Sequence, residues 1–392
     1  MRTVEKTPLS MRKHIAILGK TNAGKSTLFN LLLGQDAAIV SELPGTTTDP
    51  VIKAMELIPY GPVALIDTAG FGDETELGKQ RMEKTQKVTS RADLILYLVS
   101  AADPVVPELP KDRDRILVFT KCELLNEKEL IEIEKRYPNA VFLKNYGKNG
   151  LDELKQKMIG ILESQGKEED TLVGDLLPAG STVVMVVPID SAAPKGRLIL
   201  PQVQLLRDCL DHEIKAYVTK ETTLVSALEN LKRVDLVVTD SQIFSYVDAI
   251  VPKEIPLTSF SILLARQKGN FDQYLKGAER IAQLQTGDKI LVLEGCTHNS
   301  THEDIGRVKI PKMIEKKTGA KCEYTFVSGY QFPEDLTPYR MALSCGMCMI
   351  NKQEIASRLS ALENVGIPVV NYGVAIAALN GILARAKEVF EN

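Results

Sequence analysis

The chain has 392 residues, 44% of them hydrophobic and 25% charged, with a formal net charge of −3. That length suits two or three domains of roughly 100–200 residues, and the lack of a net basic field argues against nucleic acid or an anionic membrane surface as partner. No apolar run reaches the ~20 residues of a bilayer span, and residues 1–13 carry basic side chains without the hydrophobic segment of a secretory signal, so a cytoplasmic protein is expected.

From residue 13 short apolar, β-rich runs alternate with helical stretches, so the expected fold class is α/β with a mostly parallel sheet at the start. Residues 14–18 read as a strand and 26–33 as a helix. Between them Gly19-Lys20-Thr21-Asn22-Ala23-Gly24-Lys25-Ser26, followed by Thr27, has the spacing and context of a phosphate-binding loop. Its glycines let backbone N–H groups turn inward on phosphate oxygens, Lys25 brings a point charge to the β- and γ-phosphates, and the Ser26 hydroxyl suits magnesium. Pro44-Gly45-Thr46-Thr47-Thr48-Asp49 reads as a first switch, with Thr47 beside Thr46 completing the magnesium shell. A strand over 63–66 leads into Asp67-Thr68-Ala69-Gly70, a second switch with Asp67 as the outer magnesium carboxylate. Strands over 94–99, 116–119 and, more weakly, 141–143, then a helix over 151–163, complete a nucleotide-binding domain spanning 1–166. The charged run 165–170 lacks apolar anchors and reads as a linker.

An α/β middle domain over 171–260 follows, with a β-branched strand at 181–188, an amphipathic helix at 202–212, a strand at 234–239, and a break between Pro252 and Pro256. It shows no catalytic constellation and reads as a packing or oligomerisation module. A third α/β domain spans 265–392. Its strand at 289–293 runs into Gly295-Cys296-Thr297-His298; a second strand at 365–370 leads to Tyr372-Gly373 and a helix over 375–390. Open α/β sheets bind ligands at the carboxyl ends of their strands, where Cys296 falls.

Six cysteines in a chain without a secretory signal point to buried thiols or metal ligands rather than a disulfide framework. Cys345-Gly346-Met347-Cys348 puts two thiolates in one short turn ahead of a helix over 352–362, whose amino-terminal amides favour negative charge. With Cys296 there are three soft ligands. Local chemistry leaves three readings open: a 4Fe-4S cluster with one exchangeable position, a structural zinc completed by His298 or His302, or inert thiols. Cys122 reads as incidental, Cys209 as core, Cys322 as a minor candidate ligand and His14 as structural. Arg340 and Lys352 flank the cysteine pair and either offset cluster charge or are simply solvated.

Residues 13–163 resemble the TrmE-Era class of small G domains in their phosphate loop and PGTT-type switch. The resemblance implies GTP and Mg²⁺, with base recognition where the family has Asn-Lys-x-Asp. Here that stretch is Thr120-Lys121-Cys122-Glu123: Glu123 is expected to accept the guanine N–H hydrogens, while Thr120 lacks the bracing amide. Asn145-Tyr146-Gly147 stands near the usual Ser-Ala-Lys loop, and modest guanine affinity is expected. Phe71 stands where Ras-like proteins place a water-orienting glutamine, so slow hydrolysis is expected, with Glu74 and Glu76 as lesser candidates. In the TrmE group a phosphate-loop asparagine binds K⁺; Asn22 holds that position and implies potassium-stimulated hydrolysis.

Over its full length, through the CTHN stretch, the CGMC pair and Asn371-Tyr372-Gly373, the chain closely resembles the HydF family, GTPases that mature the active-site cluster of FeFe-hydrogenase. That resemblance implies a 4Fe-4S cluster on Cys296, Cys345 and Cys348. It also implies a scaffold or carrier role for the di-iron precursor, with the hydrogenase apoprotein and the other maturation proteins as partners, and a homodimer formed through the middle domain. The family commonly has a histidine directly before the CxxC, where this chain has Ser344, so the fourth cluster position falls to water, His298 or another group. The competing expectations are a translation or tRNA-modification GTPase with a zinc-stabilised tail, and a redox sensor in which Cys345 and Cys348 form a disulfide.

Overall fold

The computed structural model describes residues 9–36, 51–67, 88–107, 113–165, 171–189, 198–295, 305–347 and 349–391. The chain divides into two compact units, residues 1–168 and 169–392.

The first unit is built on a six-stranded sheet. Its strands are β1 (Lys13–Gly19), β2 (Val51–Leu57), β3 (Gly61–Asp67), β4 (Leu94–Ser100), β5 (Asp114–Thr120) and β6 (Val141–Phe142), in the order β2-β3-β1-β4-β5-β6. Only the β2–β3 pair is antiparallel. Strands buried on both faces read as near-continuous apolar runs, and β1 does so. Ile15 and Ile17 join the core that takes in Leu28 and Leu32, while Ala16 and Leu18 pack on the opposite face with Ile66 and Ile95. Helix Lys148–Ser164 buries Leu151, Leu154, Met158 and Leu162, a stripe at helical spacing worth about 1.5–3 kcal/mol per side chain. Helix Glu127–Arg136 buries no residue and starts instead on a capping box, Asn126 with Glu129.

The second unit holds two sheets, all of whose pairings are parallel. The first contains β7 (Thr182–Val186), β8 (Lys215–Thr219), β9 (Leu236–Thr239) and β10 (Leu257–Ser259) in the order β8-β7-β9-β10. The second contains β11 (Lys289–Glu294), β12 (Glu323–Ser328), β13 (Met341–Ser344) and β14 (Val369–Asn371) in the order β12-β11-β13-β14. Counted along the chain, each has the order 2-1-3-4, so each reverses direction between its first and third strands, the place where such sheets open a ligand crevice. One apolar core runs through both sheets and contains Val184, Val237 and Leu257 together with Leu291, Leu343 and Val369.

Three expectations about the secondary structure and the nucleotide site need correction. The strand expected at 365–370 is confined to Val369–Asn371, because Gly366 turns the chain at φ 72° and Pro368 offers no N–H for a ladder. The helix expected over 375–390 starts earlier and is broken into Tyr372–Leu379, Leu383–Lys387 and a 3-10 turn, Glu388–Phe390, by Asn380 and the left-handed Gly381. The third concerns Thr120 and belongs with the nucleotide site.

Candidate functional site

The phosphate loop leaves β1 at Gly19 and enters helix Lys25–Asp36. Lys25 Nζ donates to Gly19 O and Lys20 O, each at 2.8 Å, so the ammonium hooks back over the loop. Burial lowers its pKa and nearby Asp67 pulls in the opposite direction. Asp67 ends β3 opposite Ile17 of β1, which sets a buried carboxylate one strand from the loop. Ala23 is buried, whereas Ser26, Thr27 and Asn22 are exposed, Asn22 at the loop tip with φ 63°. Thr46, Thr47, Gly70, Phe71, Glu74 and Glu76 lie outside the described residues.

At the end of β5, Thr120 Oγ1 donates to Ala23 O at 2.9 Å and reaches Val99 O at 3.4 Å. The brace expected to be lost with the asparagine amide is therefore made by a hydroxyl; the shorter side chain reaches because Thr120 is wholly buried directly beneath the loop. Lys121 follows in a left-handed conformation, φ 57°. Glu123 Oε2 accepts from Asn145 N at 2.9 Å. Tyr146, which the sequence placed only near the base loop, donates from Oη to Gly24 O at 3.2 Å.

In the second unit, β11 and β13 are neighbours with Leu293 opposite Ser344, so the segments leaving them start side by side at the crevice. Cys345 N donates to Leu293 O at 2.9 Å. Cys345 Sγ accepts from Gly295 N at 3.0 Å and Met347 N at 3.3 Å. Two amide dipoles aimed at one sulfur favour negative charge there. They come from the two converging loops. A Cβ at Gly295 would lie 3.0 Å from Met347 Cα, closer than ordinary van der Waals contact, so glycine suits this close approach of the two loops. Buried Asn371 locks the arrangement: its Nδ2 donates to Cys345 O at 3.2 Å and its Oδ1 accepts from Gly373 N at 2.9 Å. Ser344 is buried, and its hydroxyl donates to Cys345 O.

Cys296, His298, His302 and Cys348 lie outside the described residues. Among the described residues no three His, Cys, Asp or Glu side chains converge as a metal site. Cys322 precedes β12 and Arg340 precedes β13, both at the amino edge of the sheet. The four residues of β13 alone put about 13 Å between Arg340 and Cys345, so Arg340 does not offset charge there, and Cys322 lies at the wrong edge to share a ligand set with Cys345. Burial pushes the Cys209 thiol up to about 12 and the Cys122 thiol up to about 11, in keeping with inert core sulfurs. His14 is buried, with Nε2 on Leu9 O at 3.1 Å. Sequence reasoning missed the buried pair Glu354 and Arg358, four residues apart on the helix after the cysteine pair, where Arg358 Nε donates to Glu354 Oε1 at 2.9 Å.

Residues 14–136 match the family described as 50S ribosome-binding GTPase, residues 172–269 the hydrogen maturase F dimerization domain, and residues 272–389 the hydrogen maturase F tetramerization domain. Curated relatives include the tRNA modification GTPase MnmE of Chromobacterium violaceum, 35% identical over 164 residues that cover 40% of this chain and 36% of that protein. GTPase Der of Kosmotoga olearia is 34% identical over 171 residues, 38% of each chain. The chain thus spans little more than a third of the length of these relatives. Among solved structures, Aquifex aeolicus Era bound to GDP and AlF4⁻ is 21% identical, covering 60% of this chain and 97% of that one with a TM-score of 0.30. The G domain of the T. maritima FeoB iron transporter is 23% identical, covering 38% of this chain and 99% of that one with a TM-score of 0.29.

Proposed function

Since the chain belongs to the hydrogen maturase F family, both of whose assembly domains it carries, we propose that it is a GTP hydrolase that holds a 4Fe-4S cluster and assembles or delivers the di-iron precursor of FeFe-hydrogenase. Residues 1–166 bind and hydrolyse the nucleotide, 171–260 form the dimer, and 265–392 hold the cluster. The observation that carries this proposal is the Cys345 sulfur, which accepts two backbone N–H bonds at a strand-end crevice. Such a donor set fits an anionic iron–sulfur group.

In the nucleotide site Lys25 neutralises phosphate charge and positions the γ-phosphate for attack by water. Ser26 and Thr47 ligate Mg²⁺, and Asp67 holds the ion from the outer shell. The backbone of Gly19, Asn22, Ala23, Gly24 and Thr27 cradles the phosphates, while Thr46 and Gly70 line the γ-phosphate side. Thr120 braces the loop, and Lys121 and Glu123 face the guanine. Asn22 recruits K⁺, with which hydrolysis is slow but stimulated; equal rates in sodium and potassium buffers contradict that role.

Cys296, Cys345 and Cys348 hold the cluster, with His298, water or another group at the fourth iron. The bound cluster supplies an open iron site for docking the precursor. Asn371 fixes the Cys345 backbone, so the sulfur is positioned in advance of metal.

The middle sheet ends on β8, an edge strand exposing Tyr217 and Val218, which supports pairing of two copies through this domain. The protein works in the cytoplasm beside the hydrogenase apoprotein and the other maturation proteins. Its test is activation of apo-hydrogenase by protein purified from cells that express the other maturation proteins. Hydrogen evolution is expected with the parent chain, in amounts that depend on whether GTP or GDP is supplied. Identical transfer in the two nucleotide states rules out coupling, and no activation at all contradicts the carrier role.

A further inference from the structure

The loop after β6 passes through two consecutive left-handed residues, Asn145 at φ 49° and Tyr146 at φ 50°, a conformation that L-residues rarely adopt. Two bonds hold it: Asn145 N donates to Glu123 Oε2 at 2.9 Å, and Gly147 N donates to Lys144 O at 2.9 Å. The turn delivers the Tyr146 phenol to the phosphate loop. There Oη donates to Gly24 O at 3.2 Å and also hydrogen-bonds Thr27. Burial raises the phenol's pKa, which keeps it a hydrogen-bond donor.

Gly24 has φ 84°, and a Cβ built on it would lie 1.9 Å from Tyr146 Oη. Glycines of phosphate loops are bare so that the backbone can approach phosphate groups. Tyr146 Oη therefore stands in the space that the bare face of Gly24 keeps open. A nucleotide held at one end by Lys25 and at the other by Glu123 must cross the interval between Gly24 and Glu123. Tyr146 spans that interval, and the carboxylate at its far end is already engaged by the neighbouring Asn145 amide.

We infer that Tyr146 is the gate of the nucleoside slot: its ring occupies the space between phosphate loop and Glu123, and its contacts with Gly24 and Thr27 break to admit a guanine nucleotide. This assignment rests on the GTP reading above and adds to it a nucleoside-facing residue.

The test is stopped-flow association of N-methylanthraniloyl-GDP with the full chain. Tyr146→Ala is expected to raise the association rate constant about tenfold, since it removes both ring and hydroxyl. Tyr146→Phe keeps the ring and loses only the hydroxyl bonds, so a smaller rise of about two- to fivefold is expected. The two variants together guard against a folding defect, because Phe fills the same volume. An association rate in both variants equal to or below that of the parent overturns the gate. Equal acceleration with the matching ADP analogue leaves the gate standing and overturns the guanine reading.

Discussion

Lys25→Ala is expected to lower kcat/KM for GTP by about 10²–10³-fold, the loss typical of removing one preorganised group that stabilises transition-state charge. The ammonium donates to two loop carbonyls, Gly19 O and Lys20 O, at 2.8 Å each. Burial already lowers its pKa, so a phosphate entering beside it relieves an existing cost. Alanine removes the charge and leaves those carbonyls to water, which an open loop tolerates. Phosphate release under saturating and subsaturating GTP, with far-UV circular dichroism as the control for folding, measures the effect. A variant within tenfold of the parent would mean that catalysis does not run through this loop.

Arg358→Met is expected to destabilise the second unit by about 3–5 kcal/mol, the cost of breaking a buried ion pair by removing one member. The Arg358 and Glu354 side chains are 3% and 6% exposed, so water cannot replace the lost partner. Arg358 Nη2 also donates to Gly329 O at 2.8 Å, and its guanidinium lies 5.7 Å from the Phe332 ring centre, tying the helix after the cysteine pair to the loop beyond β12. Replacing both partners, Glu354→Leu with Arg358→Met, is expected to recover most of the loss, because an apolar pair of similar volume needs no desolvated charge. Urea unfolding followed by circular dichroism distinguishes the two. A single variant as stable as the parent would contradict a structural role for this pair.

The nucleotide site was legible because its signals are local. A strand bounded by Gly19, a lysine and serine at the helix start, and Asp67 ending a buried run all lie within short windows whose chemistry does not depend on distant contacts. The elements that escaped notice carry weak local patterns. Helix Glu127–Arg136 buries no residue fully, its Leu130 and Ile133 covering the core only in part, yet Asn126 and Glu129 were a readable start signal. Strand Val51–Leu57 is half-exposed and pairs only as a hairpin with β3, so its pattern is diluted. The cysteine crevice depends on register: Leu293 opposite Ser344 joins positions some fifty residues apart, and nothing in either segment announces the other. The same holds for Tyr146 and Gly24, and for the hydroxyl of Thr120 that replaces an amide. Motif chemistry named these residues; only the sheet order could bring them together.

The cysteine-held cluster in a GTPase chain is reached most directly by one experiment. The parent chain and Cys345→Ser are purified without oxygen, reconstituted with iron and sulfide, reduced, and examined by EPR. The expected result is a 4Fe-4S signal in the parent that Cys345→Ser loses or drastically weakens. A signal that survives unchanged in Cys345→Ser, or a parent chain that takes up only zinc or no metal, would contradict it.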